Sequence, residues 1–555
     1  MSTVDELAAH YWDEYLRIQP TYASLIGDHR FDGELDDLSD ERLENHISRL
    51  RDIRRDTAAA DPSGDTLTRS LLLASIDADL PEYETEVLVG PVDAYLGPHS
   101  RLLIRVAQTS ALEPGHARDL AERYAQIPRL LKQALLRHRR HVGEGRPPAS
   151  AVVHRVLDQI DAYLVSPVEG DPFVNLRLPD GWDSSDEWRT HMAATVTDVI
   201  RPAFSEYRSG LVDEVAVRAR PDDEPGICHI TDGDEIYQRL VTRFVTIPQD
   251  PADIHDIGRT HATESLIEEY AQTGREAFGT TDTRDIFKRL RSDPALRYES
   301  ADQMLSHAET IVARAWAAID GWLGARPDGP CRVEPVPAAL AKDLPPAYYL
   351  QPAPDGSRPG IYFLNTYMPE TRDRFASEAV AFHEAIPGHH FDRALASRLT
   401  DLPAFRRHLS HNVHAEGWGL YSERLADEMG LYSGPVDRLG MLSADSWRAG
   451  RLVVDTGIHH HGWSRQKAVE FLRTWTAMNH PSIEQETDRY IGWPGQALSY
   501  KMGHLEIVAL RRRAEDALGD RFDIVEFHDT ILTSGGLTIP VLRGLIQAWI
   551  ERRAS

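Results

Sequence analysis

Apolar residues recur at steps of three and four through most of this 555-residue chain, and that spacing limits the possible fold more than any other property. Val4, Leu7, Tyr11, Tyr15 and Ile18 set the pattern. They form one stripe of a helix from about Val4 to Ile18, which Pro20 closes, because the residue before a proline is steered out of helical geometry. Similar patterns run over roughly 66–80, 117–142, 190–215, 233–246, 252–277 and 302–323. The loops between them, such as Gly143–Pro148, Leu178–Gly181 and Arg220–Gly226, are too short to read as interdomain linkers. The expected fold is mainly α, one large continuous body over 1–555. Its 1–340 part is mostly helical, and its 341–555 part carries the chemistry.

One stretch departs from the helical pattern. Ala347–Leu350 and Gly360–Thr366 are rich in aromatic and β-branched residues, and Asp355-Gly356 and Pro359-Gly360 mark a turn between them. This predicts a small β-hairpin whose second strand could be an exposed edge, the kind of edge to which extended peptides add.

Charge and cysteine content exclude several classes. There are 61 Lys and Arg against 87 Asp and Glu, a formal charge of −26, which argues against a general nucleic-acid binder or an anionic-membrane binder. Two cysteines, Cys228 and Cys331, imply neither a disulfide framework nor an all-cysteine zinc site. The N-terminus shows no basic and apolar signal segment, and no run of about 18 apolar residues reads as a membrane span, so a cytoplasmic location is expected. The basic run Arg137–His141 reads as a solvated helix end balanced by nearby acids, not as a binding patch.

The chemistry concentrates in Ala381-Phe382-His383-Glu384-Ala385-Ile386-Pro387-Gly388-His389-His390. Imidazoles can hold a zinc ion and a carboxylate can take a proton from its water. In a His-Glu-x-x-His helix both histidines share a face, at i and i+4. Here position i+4 is Pro387, which cannot ligate. In a straight helix His389 would point about 120° from His383, and His390 would sit about 10 Å along the axis. The helix, expected over Phe375–Ile386, must therefore bulge at Pro387-Gly388. His389 needs the smaller bulge and is the preferred second ligand, with His390 as the alternative.

A third ligand is sought in His414-Ala415-Glu416-Gly417-Trp418-Gly419-Leu420-Tyr421-Ser422-Glu423. Two glycines inside a helical pattern cost about 1 kcal/mol each relative to alanine and suggest close approach of the metal helix. Glu416 would complete a site of two histidines and a glutamate, and Glu423, seven residues on, would stand behind it on the same face. Further along, Asp455 and His459 are four apart, so the carboxylate could orient an imidazole that donates to an oxyanion. Ser482–Gln485 reads as a capping box opening a helix, and Tyr490 or Tyr500 could supply a phenolic hydrogen bond.

Together these segments resemble the bacterial family called Domain of Unknown Function 885, placed near the gluzincin zinc metallopeptidases. The matching motifs are His383–His390, Glu416–Glu423, Arg451–His459, Pro494–Lys501, Gly27–Asp32 and Pro359–Tyr362. The resemblance spans nearly the whole chain. It implies a helical metallopeptidase-like body around a deep channel, with His383, His389 and Glu416 as zinc ligands and Glu384 as general base. It leaves the substrate open. The expected activity is zinc-dependent hydrolysis of short peptides. The alternatives are a hydrolase of non-peptide amides or a tailoring enzyme of small-molecule metabolism on the same zinc site, and a catalytically silent binding protein. Oligomeric state and the choice among zinc, cobalt and manganese are not legible.

Overall fold

A computed structural model describes residues 3–61, 65–337, 341, 344–353 and 358–555. The fold is mainly α, with one three-stranded sheet among the described residues. The first helix runs Val4–Ile18, its Thr3 cap closing a box with Glu6. The 117–142 pattern divides at Ala125-Gln126, just before Pro128, into helices Pro114–Tyr124 and Ile127–Gly143. The 190–215 and 252–277 patterns contain π-helical turns at Val196–Ile200, Leu211–Val215 and His261–Ser265. Each such turn shifts the apolar stripe without breaking the helix. The basic run at 137–141 is balanced by Glu86, Asp40 and Glu214, as expected, but Arg137 and His138 are buried rather than solvated.

The hairpin is present but not at an edge. Strands β1 (Arg332–Pro335), β2 (Ala347–Leu350) and β3 (Ile361–Leu364) lie in the order β1-β3-β2. β3 pairs parallel with β1 and antiparallel with β2, so the strand read as a possible edge is central. β1 escaped notice because Arg-Val-Glu-Pro carries little strand character and its partner is 29 residues away. The Asp355-Gly356 turn lies outside the described residues.

The largest core cluster joins distant parts of the chain. Leu7 and Tyr11 of the first helix share it with Phe382, Trp418, Leu542 and Trp549. Helix Pro435–His459 runs through the interior, and from Leu439 to His459 every residue except Trp447 is buried. Helices Asn412–Glu428 and Leu498–Leu518 approach until their backbones touch. A Cβ on Gly417 would lie 2.6 Å from the Gly503 Cα, and one on Gly503 would lie 2.0 Å from the Val413 carbonyl oxygen. No helix among the described residues is long and apolar enough to cross a membrane.

Candidate metal centre

Helix Ser377–Glu384 ends on His383 and Glu384, two residues earlier than expected. Ala385 leaves helical geometry at φ −106°, ψ −97°, the Ile386–Pro387 bond is cis, and Gly388 takes φ −77°, ψ −129°. A new helix starts at His389. Glycine is demanded at 388 because a Cβ there would lie 1.9 Å from the His383 carbonyl oxygen. Trp418, fully buried, donates its indole N–H to the Pro387 carbonyl at 2.9 Å and fixes the bulge from below. The excursion brings the His389 ring edge-on to that of His383, centroids 4.7 Å apart.

Glu416 arrives from helix Asn412–Glu428. Its Oε2 is 3.3 Å from His383 Nε2 and 3.5 Å from His389 Nε2. One donor atom from each of the three residues lies within 4.8 Å of the other two. A tetrahedral ion with bonds of about 2.0–2.2 Å spaces its ligands about 3.3–3.6 Å apart, so this donor set fits a zinc-sized divalent cation. His390 is turned away from it. Its Nε2 donates to the Gly329 carbonyl at 2.8 Å, and the Tyr349 hydroxyl donates to its Nδ1 at 2.9 Å, leaving no nitrogen for an ion.

Behind His383, Nδ1 donates to Glu423 Oε1 at 2.8 Å, which leaves Nε2 to face Glu416. Arg448 Nη2 is 3.4 Å from the same Glu423 oxygen. Burial pushes the His383 pKa down, but Glu416 and Glu423 outweigh it and hold it up at about 9. Burial also disfavours the Glu416 anion, yet both histidines hold that carboxyl well below the usual range. The cluster thus draws positive charge in among its carboxylates, and protons and a divalent cation compete for that place.

The two glycines of the Glu416 helix divide their work. A Cβ on Gly419 would come 2.6 Å from His383 Cε1, so this glycine faces the His383 helix as expected, whereas Gly417 faces Gly503. Glu384 is half-buried and close enough to His383 to act on its charge, and its carboxylate has no protein hydrogen-bond partner among the described residues. The Tyr500 ring stacks on His383 at 6.2 Å between centroids.

Two other candidates stand elsewhere. His459 is fully buried: its Nδ1 accepts from the Ile227 N–H at 3.2 Å, and its Nε2 donates to the Tyr490 carbonyl at 2.9 Å. Both nitrogens are used, so none is left for an oxyanion. Asp455 does not orient it; that carboxylate accepts from the Tyr237 hydroxyl at 2.6 Å and the Gly495 N–H at 3.1 Å. The Tyr490 hydroxyl is also enclosed, accepting from Trp447 Nε1 at 2.8 Å and Arg451 Nε at 3.0 Å. Its helix starts at His480, two residues before the expected capping box, with Asn479 as cap.

Arg448 and Arg451 have no role legible in the sequence, although Arg451 opens the Arg451–His459 motif. The available signal was two cations in a stretch of helix otherwise apolar enough to be buried. A second donor group, His29, Asp32 and His116, includes the Gly27–Asp32 motif. There the two imidazoles stack face to face, 3.7 Å apart and 9° from parallel, so their lone pairs run side by side and do not converge on an ion.

A profile of bacterial proteins of unknown function, DUF885, matches residues 20–546. A search of curated proteins finds no match. Among solved structures, a candidate lipoprotein from Colwellia psychrerythraea superposes with a TM-score of 0.91 at 25% identity, covering 100% of both chains. A candidate lipoprotein of unknown function from Shewanella oneidensis gives a TM-score of 0.72 at 16% identity, over 99% of this chain and 100% of that one.

Proposed function

The chain belongs to the DUF885 family of bacterial proteins, and from its three-donor cluster we propose that it is a metal-dependent hydrolase of peptide or related amide bonds. One observation carries this reading: Glu416 stands at tetrahedral-ion spacing from both His383 and His389, with all three donors within 4.8 Å of one another, beside a carboxylate, Glu384, that no protein group occupies among the described residues. His383 and His389 would hold zinc through Nε2, and Glu416 through a carboxylate oxygen. When bound, zinc supplies Lewis acidity and lowers the pKa of a coordinated water toward about 7. Glu384 accepts the proton from the attacking water and hands it on to the leaving nitrogen. Glu423 keeps the His383 ring in the tautomer and orientation that present Nε2. Tyr500, beside His383, is the better placed of the two tyrosines to donate to a developing oxyanion.

The test is metal content by elemental mass spectrometry on untagged wild type and His383→Ala, with turnover of a short-peptide library followed in wild type and Glu384→Gln. Near one zinc per chain is expected in wild type and none in His383→Ala. Glu384→Gln should keep the metal and lose at least about 10²-fold in turnover. Wild type that takes up no metal when zinc is supplied overturns the reading. Small acylated amines in the same screen decide between peptides and other amides.

A further inference from the structure

Arg451 is 3% exposed, and its guanidinium lies between two rings, 4.1 Å from the centroids of both Trp447 and Tyr500. Nε donates to the Tyr490 hydroxyl and Nη2 to Glu486 at 3.2 Å. Nη1 is buried and has no partner, and among the described residues it is the one buried terminal guanidinium nitrogen left so. Arg448, three residues earlier, places its guanidinium 4.4 Å from the Trp447 centroid, and its Nε is also unpartnered. The available acids are shared: Glu423 serves His383 as well as Arg448, and Glu486 serves Arg489 as well as Arg451. Enclosed guanidinium charge with donors left over is costly unless an anion completes it.

Tyr500 joins this cationic pair to the metal centre. One ring contact stacks it on His383, the other stacks it on Arg451, and the ring itself is half-buried where both arginines are enclosed. A group held at Arg451 therefore lies one aromatic ring away from the metal-binding imidazole. Stacking on two rings also fixes the plane of the guanidinium, which is what directional recognition of a carboxylate requires.

We propose that Arg451, with Arg448 beside it, is the subsite for a substrate carboxylate, either the free C-terminus of a short peptide or an acidic side chain close to the scissile bond. This rests on the hydrolase reading, because the metal centre defines which bond the carboxylate positions.

The experiment is calorimetric binding to the full chain with zinc supplied and Glu384→Gln in place, so that nothing is consumed. The probes are acetyl-trialanine as the free acid, the same peptide as its C-terminal amide, and acetyl-Ala-Asp-Ala amide. At least one carboxylate-bearing peptide should bind about tenfold or more tighter than the neutral amide, the size of one charge-assisted contact. Which of the two does so identifies the source. Arg451→Met should abolish the difference, and Arg451→Lys should restore part of it. Three peptides that bind alike, no binding of any, or a difference that survives Arg451→Met each overturn the proposal. The comparison of peptides alone decides it should the variant fail to fold. A persistent difference without hydrolysis by wild type sinks the enzyme reading and leaves the subsite. Hydrolysis of acid and amide at equal rates with no binding difference does the reverse.

Discussion

The Glu423 carboxylate has one full hydrogen bond, to His383, and a longer contact with Arg448, while its other oxygen is buried with no partner. Its part is to fix an imidazole, and a neutral amide of the same shape does that less well, because it loses the charge that supports the ring and faces Arg448. Glu423→Gln is expected to weaken metal affinity by about 10–100-fold while the fold persists. Competition with a calibrated chelator measures this, and affinity within twofold of wild type would remove Glu423 from the account. The His389 Nδ1, by contrast, is buried with no partner, so no carboxylate fixes its ring from the side away from Glu416.

Between helices, the contact that sets the depth of the site is glycine on backbone. The Glu416 helix can approach helix Leu498–Leu518 only because Gly417 and Gly503 meet without side chains. Gly503→Ala puts a methyl 2.0 Å from the Val413 carbonyl and must push the helices apart, at a cost of about 1–3 kcal/mol. Gly115→Ala, on helix Pro114–Tyr124 with nothing within 4 Å, should leave stability unchanged or raise it by up to about 1 kcal/mol. Urea titrations of the two variants make the comparison, and equal midpoints would mean that the close approach is dispensable. At this scale the sequence was most readable where local chemistry decides. The helical stripes, the bulge at Pro387-Gly388 and the hairpin strands all follow from residues near one another. The central position of β3 depends on Arg332–Pro335, far away in the chain and weak in strand character. The Asp455–His459 pair misled because four-residue spacing serves core packing as well as it serves catalysis. Only the partners Ile227, Tyr490 and Tyr237 reveal which it is.

Taken whole, the molecule encloses many neutral histidines. Burial lowers the pKa of His99 and His528 to about 4, and that of His138, His411 and His459 to about 3. Unfolded, each returns to about 6.5. A depressed folded value means that the unfolded chain binds more protons between the two values. The stability these groups provide is thus complete above about pH 6.5 and is lost as pH falls toward 4 and 3. Asp455 works the other way. Burial raises it to about 7, and Asp373 and Asp437 to about 6, so their contributions are lost as pH rises from about 4, but the histidines, joined by His255 and His408 at about 4, outweigh them. The urea midpoint should therefore fall steadily from pH 7 to pH 5, with net proton uptake on unfolding at pH 5.5. A flat profile over that interval would contradict this balance.

The same molecule has an awkward order of assembly. A ribosome issues the chain from one end, and Tyr11 of the first helix packs edge-on against Phe405, in a core that also needs Leu542 and Trp549. The first helix can lay part of its apolar face on helices Asp40–Ala59 and Thr66–Thr85 early, but the side that meets Phe405 stays open while nearly four hundred further residues are translated. The core cluster that holds Phe382, next to His383, is not complete until the last helix emerges. Nascent chains are expected to expose that open side until synthesis is nearly complete, and a chain cut short of the last helix has His383, His389 and Glu416 but lacks Leu542, Ile546 and Trp549 of the shared core.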